Sequence, residues 1–189
     1  MTITIRLARS EDAPGIAKVH VDSWRTTYKG LIADEFLAAL SHEQRTLYWT
    51  QNLADPPSAS FVYIAETRPG EIVGFVSAGP EGQGDPNYRG EIYAIYLLNQ
   101  VQRQGVGREL IHIAMQELCE RSFSSMLLWV LKDNLPAREF YQAVGGELLR
   151  EKPIEIGGQT LIEVAYGWKN LLTYISSNKE VPCPPNSVI

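Results

Sequence analysis

The residues able to do chemistry concentrate in two stretches. The first runs from Glu91 through Ile92, Tyr93, Ala94, Ile95, Tyr96, Leu97 and Leu98 into a polar turn, Asn99 to Gln104, and then Gly105-Val106-Gly107-Arg108. Beyond it, apolar positions include Leu110, Ile111, Ala114 and Leu118. An apolar run, a turn and a helical period predict a strand, a tight loop and a helix. Glycines let the main chain approach a ligand closely, and the first amides of a helix have no intrahelical partner and sit at the positive end of its dipole. Such a loop suits a phosphate. It is not a P-loop, because no Gly-Lys-Ser/Thr follows, and it is not a dinucleotide fingerprint, because Leu110 stands where the third glycine belongs.

The second stretch is Met126 to Leu131, an apolar run of strand length, followed by Lys132-Asp133-Asn134-Leu135-Pro136-Ala137-Arg138-Glu139-Phe140-Tyr141 and Gly145-Gly146. Strand, glycine loop, helix and strand form a βαβ unit, so the two strands should be parallel, joined by a right-handed crossover and buried on both faces. Asn134 is a good helix N-cap, Pro136 fits the first turn, and Gly145 is a good stop. Asn134 and Tyr141, at i and i+7, then point to the same side.

With Gln102-x-x-Gly105-x-Gly107 between strand and helix, and with Asn134 and Tyr141 following at their spacing, the sequence resembles the GNAT superfamily of acyl-CoA-dependent N-acetyltransferases. The resemblance implies an α/β fold with a mixed, mostly antiparallel sheet, a central parallel strand pair splayed to admit CoA, and helices on both faces. It implies acetyl-CoA as co-substrate, bound by Gln102, Arg103, Gln104, Gly105, Val106, Gly107 and Arg108 at the diphosphate and by Asn134 at the pantetheine arm. An amide in the region Ile95, Tyr96, Leu97 would receive the oxyanion, and Tyr141 would protonate the departing thiolate. The family often has a proline after the strand where this chain has Asn99, which leaves the position of the associated bulge open. Glu91, opening the central strand, is the candidate general base, with a solvent-facing strand-edge glutamate as the other reading. Tyr93 and Tyr96 are positioned to hold a water. The implied reaction is acetyl transfer to a primary amine of a small molecule, an amino acid derivative or a peptide by direct attack in a ternary complex.

The 189 residues fit one domain, read as 1–170 with a tail at 171–189. A net charge of −5 argues against a dedicated nucleic-acid binder and is compatible with a cationic amine. Cys119 and Cys183 show no pairing pattern, which suits a reduced cytoplasm, and His20, His42 and His112 lack metal-ligand spacing, so no metal is expected. Residues Met1 to Arg6 have no signal-peptide core, and no stretch is long enough to span a bilayer.

The remaining elements must position these stretches. Ile3, Ile5 and Leu7 alternate with Thr4 and Arg6 as a half-buried strand; from Asp12 the period becomes helical, with Ala13, Ile16, Ala17, His20 and Trp24 on one face. His20 there reads as a core-edge histidine. Trp24 to Ile32 crowds aromatics and hydroxyls around Gly30, a composition suited either to a pocket wall or to a loop anchor; by the resemblance, Trp24 and Tyr28, with Tyr93, contact the acceptor. Asp34 is read as the cap of a short helix through Leu40, and Ser41 of another carrying Leu47, Tyr48 and Trp49. Phe61–Ala65 and Ile72–Val76 are strands joined through Arg68-Pro69-Gly70-Glu71, and the loop Gly79 to Asn87 is placed to border the acceptor pocket. Gly157-Gly158 turns a final hairpin, Glu147–Ile156 and Thr160–Trp168, and the end of the chain is expected to pack locally, on a neighbouring subunit of a homodimer, or to fray. The rival functions are a non-catalytic acyl-CoA-binding module and an acetyltransferase of charged tRNA, the latter disfavoured by the acidic charge.

Overall fold

The structure, a computed structural model, describes residues 2–67 and 70–177. The turn read at Arg68-Pro69 and the segment from Asn178, including Cys183, lie outside the described residues. The elements in order are β1 (Ile3–Leu7), α1 (Ala13–Thr27), α2 (Asp34–Ala39), α3 (His42–Ala54), β2 (Phe61–Thr67), β3 (Ile72–Pro80), β4 (Gly90–Leu97), α4 (Val106–Glu120), β5 (Met126–Leu131), α5 (Leu135–Ala143), β6 (Glu147–Ile156), β7 (Gln159–Trp168) and α6 (Leu171–Ser177).

The strands form one sheet in the order β1-β2-β3-β4-β5-β7-β6. Neighbours are antiparallel except β4 and β5, which are joined by the α4 crossover and run parallel. That parallel pairing is short: Gly90 to Ile92 pair with Met126 to Leu128. Beyond Ile92 the two strands part, although β4 continues to Leu97 and β5 to Leu131.

Side-chain alternation divides the core. Met126, Leu128 and Val130 of β5 pack with Leu110, Ile111, Ala114, Met115 and Leu118 of α4 on one face. On the other face Ile16, Ala17 and Val19 of α1 and Trp49 of α3 meet Ile64 and Phe75. A smaller cluster of Ile32, Leu37 and Leu131, with Trp24, Tyr28 and Ile154 against it, closes the end of the sheet near the α1–α2 loop. α6 belongs to the first core: Leu171 is fully buried and its amide donates to Ser124 O at 3.0 Å.

Two local expectations, the Asp34 cap and the half-burial of Leu7, differ from the structure. Asp34 is the first residue of α2 and not its cap, because the chain is still extended at Ala33. Trp24 lies within α1, as its place on that helical face predicts, and the helix runs on to Thr27. Leu7, read as part of a half-buried strand, is exposed because β1 is an edge strand; on α3, Leu47 and Tyr48 face solvent while Trp49 faces the sheet. Ser41 caps α3 as read, accepting from Gln44 N at 3.2 Å, and Gly157 and Gly158 both have positive φ, as a tight hairpin turn requires.

Candidate active site

The parting of β4 from β5 opens a cleft of about 450 Å³. Its walls include Tyr28, Tyr93, Ile95, Tyr96, Leu97, Gln102, Arg103, Gly105, Gly107, Arg108, Asn134 and Tyr141, which brings most of the sequence-derived site residues to one place. Trp24, Glu91, Gln104 and Val106 are not part of that wall.

One end of the cleft is the glycine loop. Gly105 occupies the N-cap position of α4 at φ +90°, a conformation that strains any residue with a Cβ, and Arg103 is also left-handed at φ 59°. The chain turned this way presents the amides of Arg103 to Gly107, which have no partner among the described residues. Successive unpaired amides at a helix start form an anion cradle. Val106 itself is buried and can contribute only its amide, while Gln104 Nε2 is occupied by Gln100 O at 2.8 Å. Gly107 lies against Leu97 and Phe140, so a side chain there would push into the cleft floor.

The β4 edge supplies further donors. Leu98 N donates to Val73 O of β3 at 2.9 Å. Along the same register the amides of Tyr96 and Ala94 face β3, and by alternation those of Ile95 and Leu97 face the gap, where Gln102 Nε2 meets Leu97 O at 3.0 Å. The register shift in β4 falls at Tyr93, between the pairs Ser77–Ala94 and Ala78–Ile92, and so precedes the Ile95 to Leu97 region. Across the gap, Asn134 caps α5 through Oδ1, which accepts from Ala137 N at 3.3 Å, leaving Nδ2 without a partner among the described residues.

Tyr141, only 7% exposed, reaches the cleft with no hydrogen-bond partner among the described residues; burial, reinforced by nearby Tyr28, pushes its pKa well up and keeps it protonated. Tyr28 and Tyr96 share a hydrogen bond at 3.2 Å. Both phenols are raised, chiefly by burial. Trp24 stands edge-on behind Tyr28, centroids 4.9 Å apart, its buried indole N–H facing the Tyr96 hydroxyl without closing a regular hydrogen bond. His20 stacks on Tyr96 at 5.2 Å and its Nδ1 accepts from Trp49 Nε1 at 3.3 Å. Burial, and secondarily Arg45, hold its pKa down to about 3, so it is a neutral packing group. The Tyr93 hydroxyl donates to Pro80 O at 2.6 Å, tying β4 to the last residue of β3.

Glu91 is half-buried beside the cleft, and burial raises its pKa above the usual carboxylate range. Its hydrogen bond from the Gly82 amide opposes that shift, Glu81 and Glu163 add to it, and Lys152 lowers it. Trp129, in the cleft wall, and Glu163 on β7, 9% exposed, were missed by the sequence reading. Glu163 did carry a signal, a lone carboxylate inside the apolar run Leu161 to Tyr166. Among the described residues no three or more His, Cys, Asp or Glu side chains are grouped to hold a metal ion, and no helix is long and apolar enough to cross a membrane.

Comparison with known proteins agrees with this geometry. The model of the acetyltransferase (GNAT) family matches residues 22–145. The chain is 42% identical over 169 residues to YuaI of Bacillus subtilis (strain 168), an uncharacterized N-acetyltransferase, covering 89% of this chain and 94% of that one. Its fold is similar to the PaiA N-acetyltransferase of Thermoplasma acidophilum in complex with coenzyme A (TM-score 0.66, 20% identity, 86% and 98% of the two chains). It is similar also to yncA of Salmonella typhimurium, a putative acetyltransferase solved with acetyl-CoA (TM-score 0.65, 17% identity, 100% of each chain). A seven-stranded mixed sheet parted at its one parallel pair, a glycine loop at the end of that gap and a family match over the same residues lead to one conclusion: the chain belongs to the GNAT acetyltransferase family and is an acyltransferase.

Proposed function

We propose that the chain binds acetyl-CoA in the gap between β4 and β5 and transfers the acetyl group to a primary amine of a small molecule, an amino acid derivative or a peptide, by direct attack in a ternary complex. The observation that carries this reading is the end of β4–β5 pairing at Ile92–Leu128, with unpaired loop amides at one end of the resulting gap and Tyr141 within it. The CoA and acetyl-CoA complexes of the two similar folds support the choice of co-substrate.

In this reading the amides of Arg103 to Gly107 take the diphosphate, and Arg103 and Arg108 add positive charge. Asn134 Nδ2 donates to a pantetheine carbonyl. An alkylamine is mostly protonated at neutral pH, and freeing its lone pair costs roughly 4–5 kcal/mol. Glu91 takes that proton, directly or through a water, and its raised proton affinity suits the task. The neutral nitrogen attacks the thioester carbonyl, the Ile95 and Leu97 amides receive the oxyanion, and the C–S bond breaks as the C–N bond is completed. Tyr141 gives its proton to the leaving sulfur and is reprotonated from solvent, into which the second proton of the attacking nitrogen is shed as the amide forms. Trp24, Tyr28 and Tyr93 shape the acceptor side.

The test is release of CoA thiol with a panel of amines, for the wild type and Tyr141→Phe. The expected loss of turnover is about tenfold or more, with CoA affinity little changed; near-normal turnover would reject the acid role. Tight CoA binding with no thiol release for any amine would favour the non-catalytic module instead.

A further inference from the structure

Against Trp129, a residue of the cleft wall, the protein already holds a cation of its own. Lys152 on β6 sends its ammonium group over Trp129, 3.8 Å from the ring centroid. The same nitrogen is 3.3 Å from Glu163 Oε1 and 3.0 Å from Gln83 Oε1. A carboxylate, an aromatic face and an amide oxygen around one nitrogen form the set that recognises a primary ammonium. The second cation nearby, Arg150, also lies over Trp129, at 5.3 Å, but its charge is matched by Asp85, so it does not compete for Glu163.

Two observations join this group to the acceptor side. Trp129 is itself part of the cleft wall. Glu163 acts electrostatically on both Tyr28 and Glu91, and Lys152 acts on Glu91, so the pair lies within reach of the groups around the incoming amine.

We propose that Lys152 is a tethered occupant of an ammonium subsite built by Glu163, Trp129 and Gln83, and is thereby the specificity-determining residue that turns away acceptors carrying a second ammonium group. This rests on the reading of the cleft as an acetyltransferase site. A tethered ammonium competes at a high effective concentration, so a free dication meets the positive charge of Lys152 where its second nitrogen would otherwise find Glu163. The acceptor selected by the wild type therefore presents one amine and no further cation at this position.

The experiment titrates 1,4-diaminobutane and butylamine calorimetrically into the wild type, Lys152→Met and Lys152→Gln, and each of these combined with Glu163→Gln, with and without CoA. Removing the lysine should tighten diamine binding relative to butylamine by about tenfold or more, and Glu163→Gln should abolish that gain. Lys152→Gln retains a hydrogen-bond donor for Glu163 and supplies a folded comparison if the methionine variant is unstable, with thermal unfolding as the check. An unchanged diamine-to-butylamine ratio in a folded variant overturns the proposal, as does a wild type that already prefers the diamine. Failure of the wild type to take up CoA would count against the acetyltransferase reading, while the CoA-free titrations still decide the subsite.

Discussion

A phenol is a weak acid in water, and burial makes Tyr141 weaker still. In the proposed reaction its value lies in staying protonated throughout the working range, ready to meet the leaving thiolate. Glu91 is shifted in the same direction, with a different consequence. A base must be unprotonated to act, so turnover should fall as pH drops through the raised Glu91 pKa. In Glu91→Gln, that acid limb of the kcat profile should disappear along with most of the activity; a variant keeping both would show that another group takes the proton. His20 makes a separate prediction for stability. Its folded-state pKa of about 3 lies below the ordinary 6.5. The unfolded chain therefore binds the proton first, so this contribution to stability is complete above 6.5 and declines as pH falls toward 3. The slope is at most about 1.4 kcal/mol per pH unit. Denaturant titrations of His20→Gln, whose amide oxygen can still accept from Trp49, should lose stability less steeply over that window than the wild type.

At the scale of elements, the site is made from the starts of two helices that flank the parted strands. Asn134 caps α5 through Oδ1, while its Nδ2 has no partner among the described residues and is the atom the proposed function gives to the pantetheine arm. Asn134→Asp keeps an acceptor for the cap and removes the donor, so it should weaken CoA binding while leaving the melting temperature near that of the wild type. Asn134→Ala loses both and should also cost about 1 kcal/mol of stability. Equal CoA affinity in all three proteins would remove Asn134 from the binding site. α4 begins at Gly105, where an added Cβ meets no protein atom within 4 Å yet must adopt φ +90°. Gly105→Val should therefore cost about 1–2 kcal/mol through backbone strain and, separately, project into the space assigned to the diphosphate. The second effect is read as weaker CoA binding by calorimetry on folded protein.

At the scale of the whole molecule, each of the parting strands keeps an antiparallel neighbour on its far side, while α4 packs across both halves of the sheet. β4 is held by β3, and α1 packs on that half. β5 is held by β7, with α4 and α6 covering the other face. Leu171 of α6 is fully buried in the first core, the one shared with α4 and β5. Leu171→Ala should destabilise the protein by roughly 2–5 kcal/mol, read by chemical denaturation, with CoA binding preserved where the variant remains folded. Much of this architecture was legible in the order of residues. An unbroken apolar strand, two glycines, an amphipathic helix and a second apolar strand specify a βαβ crossover through local geometry alone, and Asn134 and Tyr141 share a side because seven residues make nearly two helical turns. The Asp34 cap and the extent of α1 were less legible, because competing cap positions differ by only about 1 kcal/mol and tertiary contacts decide between them. The sequence by itself determined the crossover, the glycine loop and the helix that carries Asn134 and Tyr141, since each depends on residues close together in the chain. Only the tertiary structure decided the group beside the cleft wall, where Gln83, Trp129, Lys152 and Glu163 arrive from separate segments. Their meeting depends on strand order and register, and no spacing along the chain encodes the distance between them.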